Sequence, residues 1–222
     1  MRVALLGGTG DIGEGIALRL ARDADHEVHI GSRDAEKAER RAAEYVELLG
    51  DRGHDVVVSG HGNQAATAAA DVVVVSVPPE YAASTVEAVA EDLDEGDVLV
   101  CPATQMDRDE DGFHYDPPSA GSVAEAVAAA APAGVPVVGA FQNVAAGALT
   151  DLDNDLEVDV VMTGDDADAK ETIRGLVEAI DGIRALDGGG LANSSEVESI
   201  TPLLINLAMN NDGMHDLGVR FQ

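Results

Sequence analysis

The chain has 222 residues, 45% of them hydrophobic, which suffices for one ordinary domain with a small appendage and argues against global disorder. Lys and Arg number 13 against 42 Asp and Glu, a formal net charge of −29, and a field of that sign repels phosphate backbones, so no nucleic-acid partner is expected. Aromatic residues make up 3%, Trp is absent and Cys101 is the one cysteine, which excludes a base-stacking platform, an internal disulfide and a multi-cysteine zinc site.

In chain order, residues 3–6 read as a strand and 11–23 as a helix. Residues 28–30 give the next strand and 35–49 a charged helix. A third strand is expected at 56–58, an alanine-rich helix at 63–70, and the strongest strand at 72–77. Helix returns at 81–92 and strand at 98–101. Residues 102–118, rich in acids and holding Pro102, Pro117 and Pro118, read as a long loop. A helix over 122–131 and a strand at 135–139 close the first unit. Beyond it come a strand at 158–162, a helix at 167–180, a strand at 183–186 and a long helix over 195–210. Pro202 either kinks that last helix or sits in its first turn. Continuous Val/Leu/Ile runs alternating with helices predict an α/β fold: a Rossmann-type, doubly wound, mainly parallel sheet over residues 1–140. A small C-terminal α+β domain is expected over 141–222.

The acids are spread along the whole chain, which argues against an acidic tail. They suit a halophilic, cytoplasmic protein, because at molar salt the Debye length falls to about 3 Å and surface self-repulsion is screened. Residues 1–6 run straight into a glycine-rich turn with no cleavage region, so no signal peptide is expected. The weakly charged stretch 122–149 is mostly Ala and Gly and is broken by Pro132 and Pro136, so no membrane span is expected either.

The run V-A-L-L-G-G-T-G-D-I-G-E-G places Gly8, Gly10 and Gly13 in the G-x-G-x-x-G pattern between the first strand and the first helix. Gly8 would permit the tight turn, Gly10 the approach of a pyrophosphate and Gly13 close packing of helix on strand. The helix N-terminus then offers N–H groups and partial positive charge to phosphates. Asp11 shares that turn, so its side chain is expected to point away from the anion. At the end of the second strand, where an NAD binder carries an acid, stand Ser32 and Arg33, with Lys37 one turn on. A guanidinium fork, a hydroxyl and an ammonium suit a 2′-phosphate, hence NADP(H). Asp34 beside them could face a ribose itself.

Several stretches together resemble the archaeal NADPH-dependent coenzyme F420 reductases. They are R-V-A-L-L-G-G-T-G-D-I-G-E-G, G-S-R-D-A-E-K-A, S-V-P-P-E-Y-A, L-A-N-S-S-E-V-E-S-I-T-P-L-L-I-N-L and G-M-H-D-L-G-V-R-F. The resemblance spans nearly the whole chain, and its C-terminal part is the more specific. It implies an enzyme that moves a hydride between NADP(H) and the 5-deazaflavin coenzyme F420 in a cleft between a Rossmann domain and a small second domain. Carried over, Thr9, Gly10, Asp11 and Ile12 cradle the pyrophosphate, and Ser32, Arg33 and Lys37 hold the 2′-phosphate. Ser76, Val77, Pro78 and Pro79 border the nicotinamide, while Thr104, Ala146 and Leu217 join the ring pocket. Gln142 stands where some relatives carry a histidine, so no imidazole role is carried over.

Such chemistry needs no nucleophile; the protein supplies position and field. Ala103, Ala140, Ala145 and Ala146 are candidates for the floor under two flat rings. No general acid is named. His114 and His215 fall where a cleft could be, and His26 and His29 flank the second strand. Cys101 reads as core, and paired acids such as Asp165 and Asp166 as solvated surface, so no metal is expected. Arg108, Arg174, Arg184 and Arg220 are the cations available to an anionic deazaflavin outside the first domain. Other readings are an NADP-dependent reductase of an imine, 2-oxo acid or flavin/ferric substrate, and a non-catalytic NADP sensor. The C-terminal helix, apolar around much of its circumference, is core or a two-fold contact, and a homodimer is a guess.

Overall fold

Arg2–Leu6 (β1) buries its last four side chains, as befits a strand with helices on both faces. In the computed structural model, which describes residues 1–24 and 26–222, β1 lies at the centre of a six-stranded parallel sheet. The chain runs outward through α1 (Asp11–Asp23), β2 (Glu27–Ser32), α2 (Ala35–Gly50) and β3 (Val58–Gly62). It then crosses back through α3 (Asn63–Ala68) to β4 (Val72–Val75), α4 (Pro79–Ala88), β5 (Val98–Cys101), α5 (Val123–Ala130) and β8 (Val137–Gly139). The order β3-β2-β1-β4-β5-β8 is that of a doubly wound sheet, with its reversal between β1 and β4. Leu6 pairs with Gly31 on one side and Val75 on the other, so the carboxyl ends of three strands converge there.

Strand alternation divides the core. Val3, Leu5, Val72 and Val74 pack with α1 and α2 on one face, and Ala4, Leu6, Val73 and Val75 with α3, α4 and α5 on the other.

Several boundaries differ from the sequence reading. The third strand is 58–62, not 56–58, because Gly60 lies directly under α2, where a Cβ would collide with the Ala38 backbone. The expected 102–118 loop contains an antiparallel hairpin, β6 (Met106–Asp109) and β7 (Gly112–Tyr115), turning at Glu110-Asp111 with Gly112 at φ +130°. Its acids hide the strand signal. Helix α4 begins earlier, at Pro79, with proline in its first turn. It ends at Ala88, before a short 3-10 turn at Ala90–Asp92. Strand β8 starts only at Val137, after Pro136. The long C-terminal helix is two, α8 (Ser194–Glu198) and α9 (Ile200–Asn210), with Pro202 in the first turn of α9 and no kink to explain.

A short helix, α6 (Ala146–Thr150), precedes a second parallel pair, β9 (Val158–Met162) and β10 (Ile183–Asp187), joined through α7 (Ala167–Glu178). Gly139 and Thr163 exchange backbone hydrogen bonds of 2.9 Å, linking the end of β8 to the end of β9. Residues 219–221 run beside β9: Asp159 N–H donates to Val219 O at 2.8 Å. Asp159, fully buried, accepts from Arg184 at 2.8 and 2.7 Å and from Phe221 N–H at 2.7 Å, and Arg184 holds its carboxyl below the usual range. No helix among the described residues is long and apolar enough to cross a membrane.

Arg19 joins the two regions. Its guanidinium, 1% exposed, donates from α1 to the carbonyls of Ala148, Leu149, Asp151 and Asn154. Those carbonyls close α6 and the turn after it; of the four, Asp151 O also accepts the Asn154 N–H at 3.4 Å. Arg19→Met keeps the aliphatic stem but removes the guanidinium from all four acceptors. The expected loss is about 2–4 kcal/mol, read from the denaturation midpoint at fixed KCl.

Candidate functional site

Two cavities open at the reversal between β1 and β4. The smaller, about 370 Å³, lies over the ends of β1 and β2; the larger, about 760 Å³, lies over β4, β5 and α9. Gly10, Ser76, Val77 and Pro78 line both.

The shared wall follows from the glycine turn. Gly7, not Gly8, takes the left-handed conformation (φ +83°), and a Cβ on it would stand 2.6 Å from Ser76 O. Gly13 presses against Ser76, where a Cβ would meet Oγ at 2.6 Å. Ser76 Oγ in turn donates to Leu6 O at 3.0 Å, tying the end of β4 to the end of β1. Gly8 and Gly13 line neither cavity; their part is packing, and Gly8 O accepts the Tyr45 hydroxyl at 2.9 Å. Gly10 differs, since a Cβ there would find only Gly7 O at 3.5 Å. It is also the N-cap of α1 without a side chain to cap it, so first-turn N–H groups face open space.

Ser32, Arg33 and Lys37 all line the smaller cavity, with Thr9. Among the described residues neither Arg33 nor Lys37 has a carboxylate partner; the Arg33 guanidinium lies 6.0 Å over the Tyr81 ring. Asp34 does not compete for a ribose: it caps α2, accepting Lys37 N–H at 3.2 Å. Ser32 Oγ accepts Asp34 N–H at 3.1 Å and keeps its own hydrogen to donate. Asn63 Oδ1 is buried here with no protein partner, an acceptor that the sequence reading missed because Asn63 opens an unremarkable alanine-rich helix.

The larger cleft takes Asp11, Ile12, Pro79, Thr104, Ala146 and Leu217 from the sequence-based set. Asp11, expected to point away from the phosphate region, borders this cleft and not the cavity of Arg33 and Lys37. Ala103 and Ala145 line it too, whereas Ala140 is sealed in the core. His114 pairs with Asp109 and His215 with Asp216, and neither lines the cleft. His29 is buried against Ser59, and burial lowers its pKa. Burial pushes the Cys101 thiol up to about 12, which makes it inert as a nucleophile.

Segment 141–145 forms one wall. Phe141, fully buried, holds φ +72°, a strained conformation for a bulky residue. Thr201 of α9 donates to Gln142 O at 2.7 Å, and Asn143 bonds Asp159 O and Val161 N–H of β9. Between these fixed points the Gln142 amide is buried without a hydrogen-bond partner among the described residues, and its Nε2 lies over Gly139 on the side of Thr163 and Ser194, which do not line the cleft. The C-terminal helix supplies Leu204, Ile205, Ala208 and Met209 to the cleft, while Leu203 and Leu207 point to solvent. Apolar periodicity alone does not distinguish a cleft-lining face from a core face. Mostly apolar walls and small residues can hold flat aromatic rings; among the described residues lining the cleft, no group is poised for covalent attack.

The hairpin is fastened by Glu198 of α8. Its carboxylate, fully buried, accepts the Tyr115 hydroxyl at 3.0 Å and the first N–H groups of α5, Val123 and Ala124, at 3.1 and 3.2 Å. Burial nevertheless pushes its pKa up.

Comparison with known proteins fits this geometry. Residues 2–105 match the family of coenzyme F420-dependent NADP oxidoreductases. The chain is 42% identical over 210 residues to an F420-dependent NADP reductase of Methanocaldococcus jannaschii, covering 93% of this chain and 92% of that one. It is 40% identical over 223 residues to an F420-dependent NADP reductase of Methanothermobacter thermautotrophicus, covering 99% and 94%. A solved structure from Arthrobacter sp. FB24, provisionally assigned as an F420-dependent NADP-reductase, superposes with a TM-score of 0.74 at 26% identity over 93% of each chain.

The raised pKa of Glu198 means that the fold favours its protonated form. That stability is complete below the usual carboxylate range and is lost as pH rises through the raised value. Glu198→Gln cannot titrate, so its cost should be larger at about pH 5 than at about pH 8, as read by denaturation at both values.

Proposed function

Because the chain belongs to the coenzyme F420-dependent NADP oxidoreductases, we propose that its residues divide hydride transfer between NADP(H) and coenzyme F420 over the two cavities. The adenosine end of NADP goes to the smaller cavity, and the nicotinamide and deazaflavin rings share the larger cleft. The observation that carries this reading is the pair of unpartnered cations, Arg33 and Lys37, in the cavity next to an uncapped helix N-terminus.

When bound, the two cofactors supply the hydride donor and acceptor carbons, so the protein's part is binding and alignment. Thr9, Gly10, Asp11 and Ile12 offer the first turn of α1 to the pyrophosphate, with Gly8 and Gly13 shaping the turn. Ser32, Arg33 and Lys37 bind the 2′-phosphate, Arg33 by its fork and Lys37 as a point charge. Asn63 Oδ1 accepts a donor of the adenosine. Ser76, Val77, Pro78 and Pro79 make a stiff edge against which the nicotinamide lies. Thr104, Ala146 and Leu217 border the deazaflavin. Apolar neighbours exclude water from the rings, which strengthens these contacts. An imine or 2-oxo acid reductase would call for a substrate-directed Lys, His or Arg from the second domain; Lys170 is held by Asp187 at 2.8 Å, and the cleft lining contains no Lys, His or Arg among the described residues.

We further propose that residues 1–140 act as the NADP domain and 141–222 as the lobe that completes the deazaflavin cleft. Spread acidity suits a halophilic, cytoplasmic enzyme that meets small-molecule cofactors and no nucleic acid. The exposed face of α9, with Leu203 56% and Leu207 41% accessible, fits a homodimer contact.

Two outcomes are expected. Protein, NADPH and oxidised F420 mixed in molar KCl should bleach the visible deazaflavin band at catalytic protein levels; stoichiometric NADPH binding without bleaching would refute the reading. Arg33→Ala should raise KM for NADPH by about 10- to 100-fold, corresponding to ~1.5–3 kcal/mol for a charged hydrogen bond, with little change for NADH. Equal effects on both nucleotides would remove Arg33 from the 2′-phosphate.

A further inference from the structure

In a chain this acidic, a cation without a carboxylate is conspicuous. Among the described residues, nine of the basic side chains lie within 4.0 Å of a carboxylate, and Arg19 is committed to carbonyl oxygens. Three remain: Arg33, Lys37 and Arg108. The first two line the smaller cavity. Arg108 stands on the β6–β7 hairpin, two residues from Met106, which lines the larger cleft.

Strand geometry says which way Arg108 faces. Residues two apart in a strand share a face, and cross-strand partners share it too. Met106 lines the cleft; its partner is Tyr115, which reaches inward to Glu198. Arg108 is on that same face, opposite Phe113. Asp107 and Asp109 are on the other face, where Asp109 is taken by His114 at 2.9 Å. The Arg108 guanidinium lies 5.0 Å over the Phe113 ring. Phe113 is itself pinned to α9, since Asn206 accepts its N–H at 2.8 Å and donates to its carbonyl at 2.7 Å. Leu204, Ile205 and Ala208 of that same helix line the cleft. The hairpin therefore carries an exposed positive charge on the same strand face as the cleft-lining Met106, two residues beyond it.

We propose that Arg108 is the binding site for the anionic tail of the deazaflavin, its phosphodiester first. This rests on the reading that F420 occupies the larger cleft. Coenzyme F420 carries a phosphodiester and glutamyl carboxylates on a flexible arm, and a guanidinium matches an oxyanion pair by its planar fork. The other free cations already face the nucleotide. Arg174 and Arg184, candidates by sequence, are bound to Glu171, Glu178 and Asp159, and Arg220 also faces Asp159.

The test uses the full chain in molar KCl, with Arg108→Ala and Arg108→Lys. Dissociation constants come from deazaflavin fluorescence, and KM values from turnover. Each is measured for F420 and for the same chromophore with its ribityl arm but no phosphate. For Arg108→Ala, the F420 dissociation constant and KM should rise by roughly three- to tenfold, the modest size reflecting solvent exposure of the contact. Arg108→Lys, which keeps the charge but not the fork, should recover part of the loss, and values for the tail-less chromophore and for NADPH should stay at wild type. Unchanged F420 binding in Arg108→Ala would overturn the proposal, as would equal weakening of both deazaflavins, which would mark a structural role for the hairpin. A wild type that binds neither deazaflavin would instead remove the parent reading, and this one with it.

Discussion

Everything in the site hangs on the contact between the carboxyl ends of β1 and β4. Gly13 must lie against Ser76, and Ser76 against Leu6, for α1 to begin where it does. Any side chain at position 13 would push α1 away from β4. The uncapped N–H groups of α1 would then move off the line between the two cavities, and the wall of Ser76, Val77 and Pro78 would lose its backing. The Ser76 N–H and Oγ bonds to Leu6 O, at 2.9 and 3.0 Å, and a missing Cβ thus fix the relative placement of the two cavities. Such placement is what catalysis by positioning requires.

The chain uses its few cations sparingly. Most are committed to carboxylates, or in the case of Arg19 to four carbonyls, and so stabilise the fold of an otherwise repulsive surface. Among the described residues Arg33 and Lys37 have no carboxylate partner, and a charge left uncompensated in a concave site is a candidate binding determinant. The same logic applies to neutral groups. Asn63 keeps a buried amide oxygen without a partner among the described residues at the smaller cavity, whereas Asn143 uses both ends of its amide to bond β9.

Much of the parallel sheet was legible because its strands are continuous Val, Leu and Ile runs buried on both faces, as in residues 72–75. The third strand was misplaced because its residues, Ser59, Gly60, His61 and Gly62, lack that signal; α2 packs against a glycine that carries no hydrophobic mark. The hairpin escaped notice because acids dominate it and its inward contacts come from Met106, Phe113 and Tyr115, spaced too irregularly to advertise a strand. In the site, the glycine pattern and the Ser32–Lys37 corner are local in sequence and could be read. Thr201, Leu204 and Gln142 come together only through tertiary packing across about sixty residues, as the Thr201–Gln142 hydrogen bond exemplifies, so periodicity alone could not join them. The role of Gly7 was misassigned to Gly8 because two adjacent glycines look alike until one of them is found at φ +83°.

Gly10, Ser76, Val77 and Pro78 border both cavities, so neither can be filled without touching a surface of the other. A displacement of Pro78 toward one cavity is a displacement away from the other. Were occupants of the two cavities coupled through this wall, linkage would make the coupling symmetric: the factor by which one altered the affinity of the other would be the same in both directions.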